Sequence, residues 1–235
     1  MRIGSVVLLQ RGVCVQSIHW SLFRPLGGLQ TVMDELEQFG CDEVTIIRPV
    51  RKVDAFPDFQ SDIAVLRSLK TMTPVAFGGG IRSVKHLDAL AGVPIERLVL
   101  SSAFVNRDER LVEQAIRRFG RQSIQCLLPI LRTGDRLQLL NCDTGGQLAL
   151  SDLDFDFIDA FANEVIVYDC ANEGARQRCD LSLIDAIPID NARLVLSGGV
   201  GHGTSAQALD HRIASILIDN KTLHAEYSIE RYRHG

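Results

Sequence analysis

Eight times along this chain a short, unbroken apolar run precedes a longer stretch with helical spacing. The runs are SVVLL (5–9), EVTII (43–47), PVAF (74–77), RLVLS (97–101), SIQCLLPI (123–130), EVIVYD (164–169), ARLVLS (192–197) and IASILID (213–219). Strands without a polar face belong in a parallel sheet covered on both sides. Helices are predicted over 29–40, 59–70, 83–92, 107–120, 152–163, 181–187, 203–210 and 223–232, from apolar residues three and four apart and from Gly stops such as Gly40. In RDERLVEQAIRRFG (107–120) the acids come early and the arginines late, as the helix dipole favours. Eight strand–helix units in 235 residues predict an α/β fold, a (β/α)8 TIM barrel spanning 1–235 as one domain. A doubly wound open sheet is the competing architecture, because periodicity does not give strand order. LRTGDRLQLLN (131–141) predicts a hairpin excursion around its Gly-Asp turn.

The two halves of the chain echo each other. In VAFGGGIRS (75–83) and LVLSGGVGH (194–202), Gly79 aligns with Gly198 and Gly80 with Gly199, 119 residues apart. That period predicts two half-barrels, roughly 1–120 and 121–235. A glycine-rich strand end that leads into a helix presents backbone N–H groups and a partial positive charge, so each loop is a candidate phosphate site. Two such loops imply a ligand with two anionic ends. The plain alternative is glycine required only by a tight turn.

Composition narrows the function. A net charge of −4 with no extended basic cluster argues against a nucleic-acid face. The opening MRIGSVVLLQRG is too short in its apolar run for a signal peptide, and no segment approaches a membrane span. The six cysteines (14, 41, 126, 142, 170 and 179) form no CxxC pair and have no histidine at metal spacing. They are expected to be reduced thiols in a cytoplasmic protein, with no metal and no cofactor.

GGGIRS, LVLSSAFVNRDERLVEQAIRRFG and LVLSGGVG together resemble the histidine-biosynthesis barrel family, and within it the cyclase (HisF-like) subunits of imidazole glycerol phosphate synthase. The resemblance is good over 74–125, fair at 1–50 and 160–202, and weak elsewhere. It implies a (β/α)8 barrel with two phosphate sites at its C-terminal face, and a glutaminase partner that docks at the opposite face and sends ammonia through the barrel. It places the first phosphate site at Gly79, Gly80, Ser101 and Ser102, and the second at Gly174, Gly198 and Gly199. The second site departs from the family, which has Ala-Ser where this chain has Ile218-Asp219; Lys221 or Arg176 would offset that acid. The ammonia entrance corresponds to Arg2, Glu43, Arg97 and Glu164, and Glu96 falls at an acidic contact to the partner. A charge cluster that merely seals the barrel floor is the structural alternative.

The catalytic positions depart further. The family's two aspartates, acid and base, correspond to Leu8 and Pro129, and the lysine of its first loop to Gln16. None of these can move a proton. Asp169 and Glu173, after the sixth strand, are the remaining acid/base candidates, with a loop-capping role for Asp169 as the alternative. Arg48, Arg51 and Lys52 form a basic loop that could take an anionic group; His19 and Trp20 could cover a ligand, and His202 could donate to a phosphate. The expected function is a cyclase-type subunit of a glutamine-dependent amidotransferase, acting on a phosphorylated sugar or sugar-nucleotide outside core histidine synthesis. The alternatives are a non-catalytic phosphate-binding scaffold and an ordinary cyclase.

Overall fold

A computed structural model describes residues 1–18, 22–174, 179–219 and 229–233. In chain order its elements are β1 (Arg2–Gln10), β2 (Val13–Ile18), β3 (Leu22–Gly27), α1 (Leu29–Gln38), β4 (Val44–Ile47), α2 (Phe56–Arg67), β5 (Val75–Gly78), α3 (Val84–Ala89), β6 (Arg97–Leu100), α4 (Ser102–Val105), α5 (Glu109–Phe119), β7 (Ile124–Thr133), β8 (Arg136–Leu140), β9 (Gln147–Ala149), α6 (Phe155–Phe161), β10 (Glu164–Asp169), α7 (Ser182–Asp185), β11 (Leu194–Ser197), α8 (His202–Asp210), β12 (Ser215–Ile218) and α9 (Ile229–Arg233). Eight of the strands pair in parallel in the order β1-β4-β5-β6-β7-β10-β11-β12, and β12 returns to β1 through Arg2–Ser215 and Ile3–Ile216. The sheet is closed, so the chain is a (β/α)8 barrel and the open-sheet alternative is excluded.

Strand periodicity sorts the side chains into two cores. Val6 and Leu8 of β1, Ile47, Ala76, Val99, Leu127, Ile166, Tyr168, Val195 and Leu217 fill the lumen. Val7, Leu9, Val44, Ile46, Phe77, Val165 and Val167 point outward, into the layer between strands and helices. Helix ends follow local chemistry: the Asp108 carboxylate accepts Leu111 N–H at 3.0 Å to open α5, and Asp154 accepts Phe157 N–H at 2.9 Å to open α6.

Two strands outrun the barrel rim. β1 turns back into the antiparallel β2 and β3, and β7 into β8 and β9. The excursion after β7 matches the expectation at 131–141 and adds β9; the hairpin after β1 is new. Val15 of β2 and Leu140 of β8 join the lumen cluster and cap it. Helix α2 begins three residues earlier than expected, with Pro57 in its first turn, where its missing N–H costs nothing. Residues 223–228 of the expected final helix lie outside the described residues.

All six cysteines are free thiols. Burial pushes the Cys14 and Cys41 thiols up to about 12 and holds Cys126 and Cys170 well above their ordinary range. Among the described residues no helix is long and apolar enough to cross a membrane.

Candidate functional site

The loops after β5 and β6 meet at the C-terminal rim. Gly79, Gly80, Ile81, Arg82, Ser101 and Ser102, with Val50 and Cys142 above them, enclose a recess of about 40 Å³. Ser101 Oγ is buried there with no hydrogen-bond partner. A buried hydroxyl left unpaired costs about 1–3 kcal/mol, so Ser101 Oγ is available to donate to water or to a ligand in the recess. Arg82 roofs the recess: its guanidinium donates to the carbonyls of Lys52 and Cys142 and pairs with Asp143 at 3.0 Å, tying the β4 loop to the β8–β9 turn. Ser101→Ala is expected to leave thermal stability unchanged or slightly higher, because no internal bond is lost. It should weaken inorganic phosphate binding tenfold or more, the worth of one hydrogen bond to a charged group at about 1.5–3 kcal/mol. Calorimetric titration and a melting curve on the same sample check both signs.

The glycine pairs have a second cause. Gly79 adopts φ +97°, and a Cβ there would lie 2.2 Å from the Arg48 carbonyl oxygen; Gly198 adopts φ +93°, and its Cβ would lie 2.3 Å from the Asp169 carbonyl oxygen. In both half-barrels the first glycine lets the chain cross the exit of the preceding strand. Glycine is therefore required at 79 and 198 whether or not a phosphate binds. Gly199 packs against the Asn172 carbonyl and Gly174 against β2 at Ser17 and Ile18. Cys179 N–H closes this second rim loop by donating to Gly199 O at 3.2 Å. Asp219 directly follows β12; Arg176 and Lys221, which would offset it, lie outside the described residues, as do His19 and Trp20.

The same strand parity decides where Arg48 and Asp169 point. The register pairs Ile47 with Gly78 and Tyr168 with Ser197, so Arg48 and Asp169 occupy equivalent places beside Gly79 and Gly198. Each shares the outward parity of Ile46 and Val167, away from the lumen. Asp169 anchors its own loop: Oδ1 accepts the N–H groups of Ala171 and Asn172 at 3.1 and 3.2 Å, and Oδ2 accepts Asn172 Nδ2 at 2.8 Å and Asp180 N–H at 2.9 Å. Glu173 is buried beneath β2, where Ser17 Oγ donates to it at 3.3 Å.

Arg48 corrects the expectation of a basic anion-binding loop. It is 3% exposed. Its Nη1 and Nη2 grip Asp54 at 2.6 and 3.0 Å, its Nε meets Asp62 at 2.7 Å, and its guanidinium lies 4.9 Å from the centre of the Phe59 ring. Burial alone would lower its pKa, but the bonds and charges of Asp54 and Asp62 outweigh that and raise it. Its charge is spent inside the protein. The clue lay in α2, where Asp62 sits on the apolar stripe of Phe59, Ile63 and Leu66. His202 likewise turns inward, stacked on Tyr232 with ring centroids 4.1 Å apart.

At the other end of the barrel the four expected charges meet in a closed ring. Arg2 bridges Glu43 (3.2 Å) and Glu164 (2.5 Å), and Arg97 bridges the same two acids at 2.9 and 4.0 Å. Both glutamates are buried, and the arginines are the more exposed members. Glu96 stands beside the ring on the outer surface, its carboxylate accepting Val75 N–H at 2.6 Å. Gln125, which the sequence reading passed over, joins from β7 and donates to Glu164 Oε2 at 2.8 Å. Above the ring, apolar side chains such as Val6, Ile47, Val99, Leu127 and Ile166 line much of the lumen. Leu8 and Pro129 lie buried near its upper end, where Leu8 pairs with Ile47 and Pro129 with Tyr168.

Comparison with known proteins adds the following. A family model described as histidine biosynthesis protein matches residues 27–227. The chain is 27% identical over 197 residues to the imidazole glycerol phosphate synthase subunit HisF of Kocuria rhizophila, covering 81% of this chain and 76% of that one. It is 26% identical over 204 residues to a putative imidazole glycerol phosphate synthase subunit hisF2 of Campylobacter jejuni, covering 85% and 79%. It is also 23% identical over 223 residues to the HisF subunit of Staphylococcus aureus, covering 90% and 88%.

Proposed function

The chain belongs to the histidine biosynthesis protein family, and from that membership we propose that it is the synthase subunit of a glutamine-dependent amidotransferase, working in the cytoplasm. It takes neutral ammonia through the charged floor from a glutaminase-type partner docked over Glu96 and the ring. It delivers that ammonia to a phosphorylated sugar or sugar-nucleotide held at the C-terminal rim, outside core histidine synthesis. The observation that carries this reading is the pairing of a complete Arg2–Glu43–Arg97–Glu164 ring with a lumen that lacks any carboxylate at Leu8 and Pro129. Ammonia entry needs the ring and an apolar passage. Closing an imidazole ring by the family's route needs an acid and a base at the mouth.

At the rim, Gly79, Gly80, Ser101 and Ser102 hold one phosphate, with the unpaired Ser101 hydroxyl as donor. Gly174, Gly198 and Gly199 belong to the corresponding place in the second half-barrel, and an anionic group there must tolerate Asp219. Acceptors already activated toward ammonia suit such a site, because the attack then needs little proton transfer from the protein. Of the two remaining acids, Asp169 has four N–H donors on its oxygens and serves first to anchor its loop.

The test combines genetics and turnover. The chain is expected not to rescue a histidine auxotroph that lacks its cyclase, although soluble protein accumulates. With a glutaminase subunit co-expressed, glutamine consumption is expected to rise only when a phosphorylated acceptor is added. Rescue of the auxotroph would establish an ordinary cyclase, and glutamine turnover indifferent to every phosphorylated acceptor would establish a scaffold.

A further inference from the structure

Gln125 sits at the boundary between the charged floor and the apolar lumen. It is 2% exposed, more buried than any member of the ring. In the sheet it stands between Val99 of β6 and Glu164 of β10. Two residues further along β7, on the same face, comes Leu127 of the lumen cluster. Its amide orientation is set by its neighbour: Nε2 donates to Glu164 Oε2 at 2.8 Å, and the flipped amide would set oxygen against a carboxylate oxygen. The amide oxygen that remains, Oε1, is buried and has no hydrogen-bond partner. A protein does not retain an unpaired buried acceptor without cost, about 1–3 kcal/mol, and a leucine in register with Leu127 would avoid it.

The four ring charges sum to zero, so the floor offers no net attraction to an ion. An acceptor just inside it, followed by apolar walls, suits a small neutral molecule with N–H or O–H donors and disfavours an ammonium ion, whose charge the lumen cannot solvate. We propose that Gln125 Oε1 is the first interior binding point for ammonia: it accepts an N–H of the neutral molecule after the ring and orients it toward the lumen. This rests on the reading of the floor as an ammonia entrance and adds a residue to it. Water has the same donor chemistry, and the experiment separates the two.

The full chain, isotope-labelled for NMR, is titrated with ammonium chloride at mildly alkaline pH, with sodium chloride at equal ionic strength, and with ammonium chloride at mildly acidic pH. The side-chain amide resonances of Gln125 are identified by their loss in Gln125→Leu or, should that variant not fold, in Gln125→Asn. The expected result is a saturable shift of those resonances in ammonium at alkaline pH alone. Resonances that stay put, as they would if water alone occupies the site, overturn the proposal. So does an equal shift in sodium chloride. The readout needs neither partner nor acceptor, so a shift without any glutaminase response supports the Gln125 site and sinks the delivery reading. Glutaminase coupling with an unmoved Gln125 sinks the site alone.

Discussion

Arg48→Met is expected to lower the unfolding free energy by about 4 kcal/mol, the usual cost of removing one partner from a buried ion pair. The substitution keeps much of the side-chain volume over Phe59 but strands Asp54 and Asp62, whose side chains are 7% and 2% exposed. In a chain of this length that corresponds to a melting point lower by roughly 10 °C, and a urea titration gives the same quantity from its midpoint. The physical cause is tested by relief. The triple variant Arg48→Met, Asp54→Asn, Asp62→Asn removes the stranded charges, while the amide oxygen introduced at position 62 can still accept the Gly12 N–H that Asp62 now holds at 2.6 Å. It should recover most of the loss. A single variant within about 1 kcal/mol of the parent, or a triple variant no better than the single, would show that the triad is not what holds the β4 loop to α2.

Gly79→Ala is expected to cost roughly as much, by a different route. A side chain at φ +97° costs about 1–2 kcal/mol by itself, and here the added Cβ would also stand 2.2 Å from a backbone oxygen, which no rotamer change relieves. The combined loss is about 4 kcal/mol, and the same substitution at Gly198 should behave alike, since the obstacle there is the Asp169 carbonyl at 2.3 Å. Gly203→Ala is the matched control. It lies inside α8 with nothing within 4 Å of its Cβ, so alanine should stabilise the protein by about 0.5–1 kcal/mol. Chemical denaturation of the three variants side by side measures the contrast. Equal, small effects at 79, 198 and 203 would refute the backbone-crossing explanation for the glycine pairs.

Much of the fold was legible because it is written in local periodicity. The eight barrel strands lie where apolar runs were read, and β10 spans the expected 164–169. Their two-residue alternation also carries the lumen and outer faces. That alternation already argued against Arg48 and Asp169 as lumen groups, since Ile46 and Val167 share their parity. It was overlooked because both residues sit at strand ends, where barrel chemistry is expected. The hairpin after β1 was missed for a related reason. VCVQSI and LFRPLG carry no clean alternation, and a proline in the second argues against a strand unless it lies at an edge, as β3 does.

Residue type and spacing were enough to predict eight strand–helix units and two glycine loops half a chain apart, while the resemblance to the family, rather than spacing, pointed to the four floor charges and to Leu8 and Pro129 at the catalytic positions; closure of the sheet was left to the structure. The units and the glycine loops are carried by neighbours along the chain. Which groups spend their charge on one another emerged only once the chain was folded. Arg48 meets an aspartate six residues away and another fourteen away, and Arg2 meets a glutamate 162 residues on. The Ser101 hydroxyl and the Gln125 amide oxygen meet no partner at all. Such partnerships depend on closure of the sheet and on how loops from different units cross at the rim. A hydrogen bond forms or fails over about half an ångström, and no sequence pattern resolves distance that finely.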